Sequence, residues 1–291
     1  MPASQEIFEK FLHKLEHVDK LAETTLTAYR RYYLGRFVRD MGSIPPAEWS
    51  YGHFEDFIGQ RNWGPNSTRK FVHQCRNFIK WCAKRQYPVA DFADGFRLPK
   101  QPRQMPKCVQ WEVFLELLRV SRGLPLEIAV CCAGYLGLRR GEIVALKWED
   151  IDWDAMLVRV YSRKTKRERH VDLHPDAAEI LRRREGLRAP GDLVLDWPGF
   201  AGGINSGHRS LKRICRKHGL EVKSWHTLRH TVATRLIAGG ATVTEVKDHL
   251  GHANISMTNS YVSATPAGRR AAVRRLNDPI ARLGERQSAP G

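Results

Sequence analysis

Long apolar runs are missing from this sequence: no stretch is long enough to cross a bilayer, and the opening residues MPASQEIFEKF contain no signal-peptide core. These absences predict a cytoplasmic protein with no membrane partner. Paired cysteines are missing too. Cys75, Cys82, Cys108, Cys131, Cys132 and Cys215 form no C-x-x-C pair and no secreted-domain spacing, so they read as reduced core residues and not as a metal site. No internal repeat or low-complexity segment is evident. Acidic side chains are also scarce: Asp and Glu total 31 against 48 Lys and Arg, a formal charge of +17. An excess of this size points to a polyanion as partner, most often nucleic acid.

Apolar residues make up 42% of the 291, enough for a globular protein of one large or two ordinary domains. The first hundred residues read as helices: one at 5–18, one at 24–41 with Leu26, Tyr29, Tyr33 and Phe37 in a stripe, one at 46–60 opened by Pro45 and Pro46, and one at 66–84. In the last, Phe71, Cys75, Phe78 and Cys82 share a face while Arg69, Lys70, Arg76 and Lys80 lie elsewhere. Residues 97–107, RLPKQPRQMPK, hold three prolines and four basic residues, among them Lys100, Arg103 and Lys107. Proline at this density makes a semi-rigid connector, and its charges suit it to lie along a phosphate backbone. The reading is a helical domain over 1–96, a linker over 97–107 and a second domain over 108–291.

The second domain reads as mainly helical with a small β-sheet, an α+β pattern. Helices are expected at 110–121, 125–136, 139–148, 176–185, 205–218, 226–238, 242–250, 255–263 and 267–284. Two short strands, MLVRVYS and ERHVDLH, flank the cationic hairpin tip SRKTKRER.

The segment WHTLRHTVATRLIAGG, 225–240, poses the chemical question. At helical spacing His226, Arg229 and His230 share a face with Ala233 and Ile237, and Thr231, Thr234 and Arg235 lie opposite, toward solvent. The N-terminus of a helix is already its positive end, so inward-facing cations there call for an anion among them. The same pattern recurs in GLRRGEIVALKW, where Arg139 would share a face with Glu142, Ile143 and Leu146. Glu142 alone could satisfy Arg139; two inward arginines and two histidines without matching carboxylates instead suggest a phosphate, which guanidinium groups grip bidentately. Downstream, DHLGHANISMTNSYVSAT adds His252 after a Leu-Gly helix end and Tyr261 nine residues later.

Taken in order, Gly137-Leu138-Arg139-Arg140-Gly141-Glu142, Lys164 in a hairpin, His226-Thr227-Leu228-Arg229-His230, Leu250-Gly251-His252 and Tyr261 resemble the motifs of the tyrosine recombinase (phage integrase) family. The resemblance covers nearly the whole chain: 1–96 is similar to the family's helical, SAM-like core-binding domain and 108–291 to its catalytic domain of the DNA breaking-rejoining type, the two closing as a clamp on DNA. Thr227 and Asp172 depart from the family pattern at positions that carry no chemistry.

The resemblance implies a site-specific recombinase that cuts and rejoins duplex DNA through a 3′-phosphotyrosine on Tyr261, with no metal and no cofactor. His226 would take the tyrosine proton, His252 would hydrogen-bond the phosphate, Arg139 and Arg229 would hold it, and Lys164 would protonate the departing 5′ oxygen, with Lys166 as the alternative. Glu142 and His230 are supporting residues. Arg69, Lys70, Arg76, Lys100, Arg103, Lys107, Arg209, Lys212 and Arg213 are candidate DNA contacts. The implied partners are double-stranded DNA with a specific recombination site and further copies of the chain, a tetramer on DNA and a monomer in solution. The amphipathic tail at 266–283 would dock on a neighbouring protomer. Xer-like resolution, integration and mobile-element recombination stay open as roles. A type IB topoisomerase-like enzyme and a non-catalytic DNA-binding protein are the competing readings.

Overall fold

The computed structural model describes residues 4–90, 95, 98–100, 107–162, 165–186, 191–197, 206–252, 254, 258 and 261. Lys164, Arg103 and the tail at 266–283 lie outside the described residues, as does most of the expected helix at 255–263. The chain divides into two compact units, residues 1–103 and 104–291. No helix among the described residues is long and apolar enough to cross a membrane.

The first unit is helical: α1 (Ser4–His17), α2 (Glu23–Thr27), α3 (Leu34–Met41), α4 (Tyr51–Gly59) and α5 (Pro65–Lys84). Its core is built largely of aromatic rings. Phe37 is central, with its centroid 4.1 Å from that of Phe54, 5.0 Å from Trp49 and 5.2 Å from Phe57. The single helix expected at 24–41 is broken. Residues Ala28–Tyr32 widen into a π-helical turn, and Tyr33 leaves helical geometry before α3 starts. Gly35 explains why the chain tolerates this: a Cβ there would stand 2.1 Å from the Arg30 carbonyl oxygen. The expected helix at 46–60 is also split, into a short 3-10 turn (Pro46–Glu48) and α4. Ser50 caps α4, accepting from the His53 N–H while its own N–H donates to His53 Nδ1.

The second unit contains α6 (Trp111–Val120), α7 (Pro125–Gly134), α8 (Arg140–Ile143), β1 (Ile151–Asp152), β2 (Leu157–Ser162), β3 (Arg167–Asp172), α9 (Pro175–Glu185), α10 (Ser206–Lys217), α11 (Trp225–Ala238) and α12 (Val243–Leu250). The strands form one antiparallel sheet in the order β1-β2-β3, with Val158 opposite Val171 and Val160 opposite Arg169. β2 alternates in burial, placing Val158, Val160 and Ser162 inside. The two-residue β1 is too short to leave a periodic signal.

Two expectations fail here for tertiary reasons. Residues 139–148 were expected as one helix, yet α8 holds only four residues. The chain after Ile143 pairs instead with 191–197: Val194 donates to the Leu146 carbonyl and Trp148 to that of Asp192. In α11, Thr231 is buried rather than solvated. Residues 107–109 cross that face, so the Val109 N–H donates to Thr231 Oγ1 (3.0 Å), and Cys108 Sγ lies 3.0 Å from Thr234 Oγ1.

Candidate active site

The anion-seeking residues converge on the end of α12. This helix stops at Gly251, whose φ of +65° is left-handed and favours glycine. A helix end leaves its last carbonyls without partners. Here three consecutive carbonyls are each taken by a different arginine. Arg169 Nε donates to His249 O (2.9 Å), Arg229 Nη2 to Leu250 O, and Arg139 Nη2 to Gly251 O (2.6 Å). The carbonyl end is the negative pole of the helix, which offsets part of the cost of burying cations.

Glu142 lies among the same arginines. Arg139 approaches it with both its backbone N–H and Nη1, at 2.8 Å each. Arg169 forks onto the two carboxylate oxygens at 3.1 and 2.9 Å, and Arg229 Nη1 stands 3.9 Å away. Burial alone would raise the Glu142 pKa, but the Arg169 and Arg139 guanidinium groups outweigh it and hold the carboxyl below its ordinary value. Three guanidinium charges against one carboxylate leave a net positive centre, as an anion site requires. Arg139 is the residue before α8 and not part of it; the expected Glu142 partnership is present, but Glu142 is shared.

Two glycines make this convergence possible. Gly137 has φ +65°, and a Cβ there would stand 2.7 Å from Leu250 Cδ2. The turn before Arg139 can therefore press against α12. Arg229 Nη1 donates to the Gly137 carbonyl (2.5 Å), which ties α11 to the same turn. Arg229 is 3% exposed. Burial, then Arg139, pull its pKa down to about 9, against the pull of Glu142, and it is charged at neutral pH.

The histidines divide differently from the expectation. His226 is exposed, whereas His230 Nδ1 is hydrogen-bonded to the Tyr261 hydroxyl. The His226 and His230 ring centroids are 6.2 Å apart. Burial, then His226 and Arg229, lower the His230 pKa to about 4. His252 is buried, its Nδ1 is 2.9 Å from Thr258 Oγ1, and burial followed by Arg229 and Arg139 lowers its pKa to about 3. Both rings are neutral at pH 7. Tyr261, 2% exposed, is pushed up to about 12 by burial, with Arg229 opposing. Its ring lies nearly parallel to that of His252, centroids 6.2 Å apart. A pocket of about 550 Å³ opens beside this cluster, lined by Arg167, Arg169, Lys247, Gly251 and His252 among others.

Arg139, Glu142, Arg229, His230, His252 and Tyr261 are therefore assembled in the second unit. Of the candidate DNA contacts, Lys70, Lys100, Lys107, Arg209, Lys212 and Arg213 are exposed, Arg69 and Arg76 half-buried, and Arg69 Nη1 donates to the Pro99 carbonyl. Sequence reasoning missed Arg169. A signal existed: Arg169, Val171 and Leu173 alternate onto one side of a strand, which puts an arginine among inward residues.

Residues 110–267, more than half of the chain, match the model of the phage integrase family. The chain belongs to that family. It is accordingly an enzyme of the tyrosine recombinase type, which cleaves and rejoins DNA at specific sites. The integrase-family chain is 29% identical over 278 residues to the tyrosine recombinase XerC of Xanthomonas axonopodis pv. citri, covering 87% of this chain and 90% of that protein. Its fold is similar to that of a lambda integrase dimer bound to a COC′ core site (TM-score 0.70, 16% identity, 88% of this chain and 94% of that one). It is also similar to that of a lambda integrase tetramer bound to a Holliday junction (TM-score 0.69, 16% identity, 89% and 77%).

Proposed function

We propose that Tyr261 is the nucleophile and the centre formed by Arg139, Arg229 and His252 is the seat of the scissile DNA phosphate. The observation that carries this reading is the hydrogen bond between His230 and Tyr261 beside a net positive cluster. A tyrosine raised to about 12 is a weak nucleophile unless a neighbour accepts its proton. The neutral His230 ring is that neighbour, with Nε2 carrying its hydrogen and Nδ1 accepting. The contact favours His230 over the exposed His226, which is left to meet the phosphate from α11.

The steps balance without an outside reagent. The Tyr261 proton passes to His230, the phenolate oxygen bonds to phosphorus, and the bond from phosphorus to the 5′ oxygen breaks. Lys164 protonates that oxygen. Charge building on the phosphate oxygens is met by Arg139 and Arg229, and removing one such donor typically costs on the order of 10²–10³ in rate. Attack by a 5′-hydroxyl from the same or another strand reverses the steps and frees Tyr261.

The substrate is double-stranded DNA with a specific recombination site, gripped by the basic residues of both units in the cytoplasm. The chain works as an oligomer, a tetramer on DNA assembled from free monomers; the dimer and tetramer that lambda integrase forms on DNA support the oligomer. A nicked duplex tests the reading, because its short 5′-hydroxyl fragment diffuses away and strands the covalent adduct. Nicked duplexes from DNA flanking the gene and from a randomised library are incubated with the protein in EDTA. The expected product is a denaturant-resistant adduct, mapped to Tyr261 and absent from Tyr261→Phe. An adduct on another residue overturns the assignment, and tight binding without any adduct favours a non-catalytic DNA-binding protein.

A further inference from the structure

Arg169 belongs to none of the roles above, yet its guanidinium is the most extensively bonded of the three. Each of its nitrogens has an acceptor: Nε on His249 O, Nη1 and Nη2 on the two oxygens of Glu142. It is also the only one of the three contributed by the hairpin strands. Its stem lies against Gly251, where a Cβ would stand 3.0 Å from Arg169 Cδ and 3.1 Å from Nε and Nη1. The turn leading to His252 is thus shaped around this side chain.

We infer that Arg169 is a positioning residue for strand cleavage, which holds Glu142 on Arg139 and away from Arg229 and so keeps Arg229 available to the scissile phosphate. The inference rests on the reading of Tyr261 and the two arginines given above. Glu142 Oε2 is only 3.9 Å from Arg229 Nη1 but 2.9 Å from Arg169 Nη2. A carboxylate held by a bidentate fork has one orientation. Without the fork, the nearest positive charge left for Glu142 besides Arg139 is Arg229. That pairing would neutralise a phosphate clamp from behind. With every nitrogen engaged, Arg169 acts through Glu142 and the His249 carbonyl of α12 and not by touching the phosphate. Strand β3 follows the hairpin tip that contains Lys164, so the same bonds tie the sheet to the end of α12. Partners that orient the ligands of metal sites change affinity or activity by about 10–100-fold when removed, and the same scale is expected of a group that orients a phosphate clamp.

The test compares the full-length protein with Arg169→Gln and Arg169→Lys in single-turnover covalent trapping on nicked duplexes. DNA affinity and thermal melting are followed in parallel. Each protein meets an ordinary scissile phosphate and a methylphosphonate, which carries one negative charge fewer and so demands less of the arginines. Expected is a fall of about 10–100-fold in adduct formation on phosphate for both variants. DNA affinity should stay within about threefold, and the defect should shrink severalfold on methylphosphonate. The lysine variant keeps the charge but loses the fork, so it should remain slow; if Arg169→Gln folds poorly, Arg169→Lys carries the comparison. Equal defects on both substrates, or affinity and melting temperature falling in step with rate, would make Arg169 a structural residue only and overturn the inference. So would a variant as fast as the parent. Failure of the parent to form an adduct at Tyr261 strikes the underlying reading instead.

Discussion

His230 Nδ1 and the Tyr261 hydroxyl share a hydrogen bond across 31 residues of sequence, joining the helix that carries Arg229 to the residue nine positions beyond His252. The proposed nucleophile and its proposed proton acceptor are thus in direct contact. Burial works on both partners in one direction, disfavouring the charged forms: tyrosinate on one side, imidazolium on the other. The pair rests as neutral phenol and neutral imidazole.

A pH profile follows from this pairing. The His230 pKa lies at about 4, below the ordinary imidazole value, so the ring stays able to accept a proton as pH falls through 6.5 and loses that ability only near 4. The second-order rate constant for adduct formation reports the free enzyme. Between pH 8 and 5 it should show no step near 6.5, and it should fall below about pH 5. His230→Gln should reduce it by about 10²–10⁴, the usual contribution of a general base. A step at the ordinary imidazole value, with His230→Gln near parental rate, would assign the proton to another histidine.

The spacing of His226, Arg229 and His230 was legible because helical periodicity is a local property. So was the grouping of Arg139 with Glu142, three residues apart. What escaped depended on distant chain. The burial of Thr231 comes from residues 107–109 crossing α11, and the brevity of α8 from pairing with 191–197. Neither partner is marked in the local pattern. Arg169 falls between the two cases: its inward position was readable from strand alternation, but its acceptors, Glu142 and His249, are 27 and 80 residues away. The choice between His226 and His230 was likewise a matter of which way α11 turns in its packing, since periodicity puts both on one face.

Among the described residues Glu142 is the only carboxylate bonded within the arginine cluster, and removing it has a predictable sign. Glu142→Ala leaves the buried Arg229 and the half-buried Arg139 and Arg169 without their shared counter-charge. Breaking a buried ion pair from one side costs about 3–5 kcal/mol. The variant should melt well below the parent, and inorganic phosphate should raise its melting temperature more than the parent's, because an anion now replaces the lost carboxylate. Equal phosphate shifts in the two proteins would mean that the cluster does not face an anion-accessible site.

Gly251 carries two constraints at once. Its φ of +65° costs an ordinary L-residue about 1–2 kcal/mol, and a Cβ there meets Arg169 at 3.0–3.1 Å. Gly251→Ala should therefore lower the denaturant midpoint modestly while shifting Arg169 and the His252 turn together. The expected signature is a loss of cleavage rate larger than that of Gly219→Ala. Gly219 also has positive φ (+66°), but a Cβ there would meet nothing within 4 Å. If the two alanine variants cleave alike, the close approach to Arg169 has no catalytic consequence.

The choice of leaving-group acid separates Lys164 from Lys166. Lys166 has a left-handed φ of +52°, and its N–H donates to the Ser162 carbonyl, which makes it a structural turn residue of the hairpin. Lys164 is the proposed acid. A 5′-bridging sulfur leaves as a thiolate, whose conjugate acid has a pKa near 8.5, and so needs no proton from the enzyme. Lys164→Ala should slow cleavage of ordinary nicked DNA by about 10²–10⁴ and regain near-parental rate on the sulfur-substituted strand. Lys166→Ala should cleave both substrates at similar relative rates, its side chain being exposed at the turn. Rescue by sulfur in the Lys166 variant and not in the Lys164 variant would exchange the two roles; rescue in neither would move the proton to a group outside the hairpin.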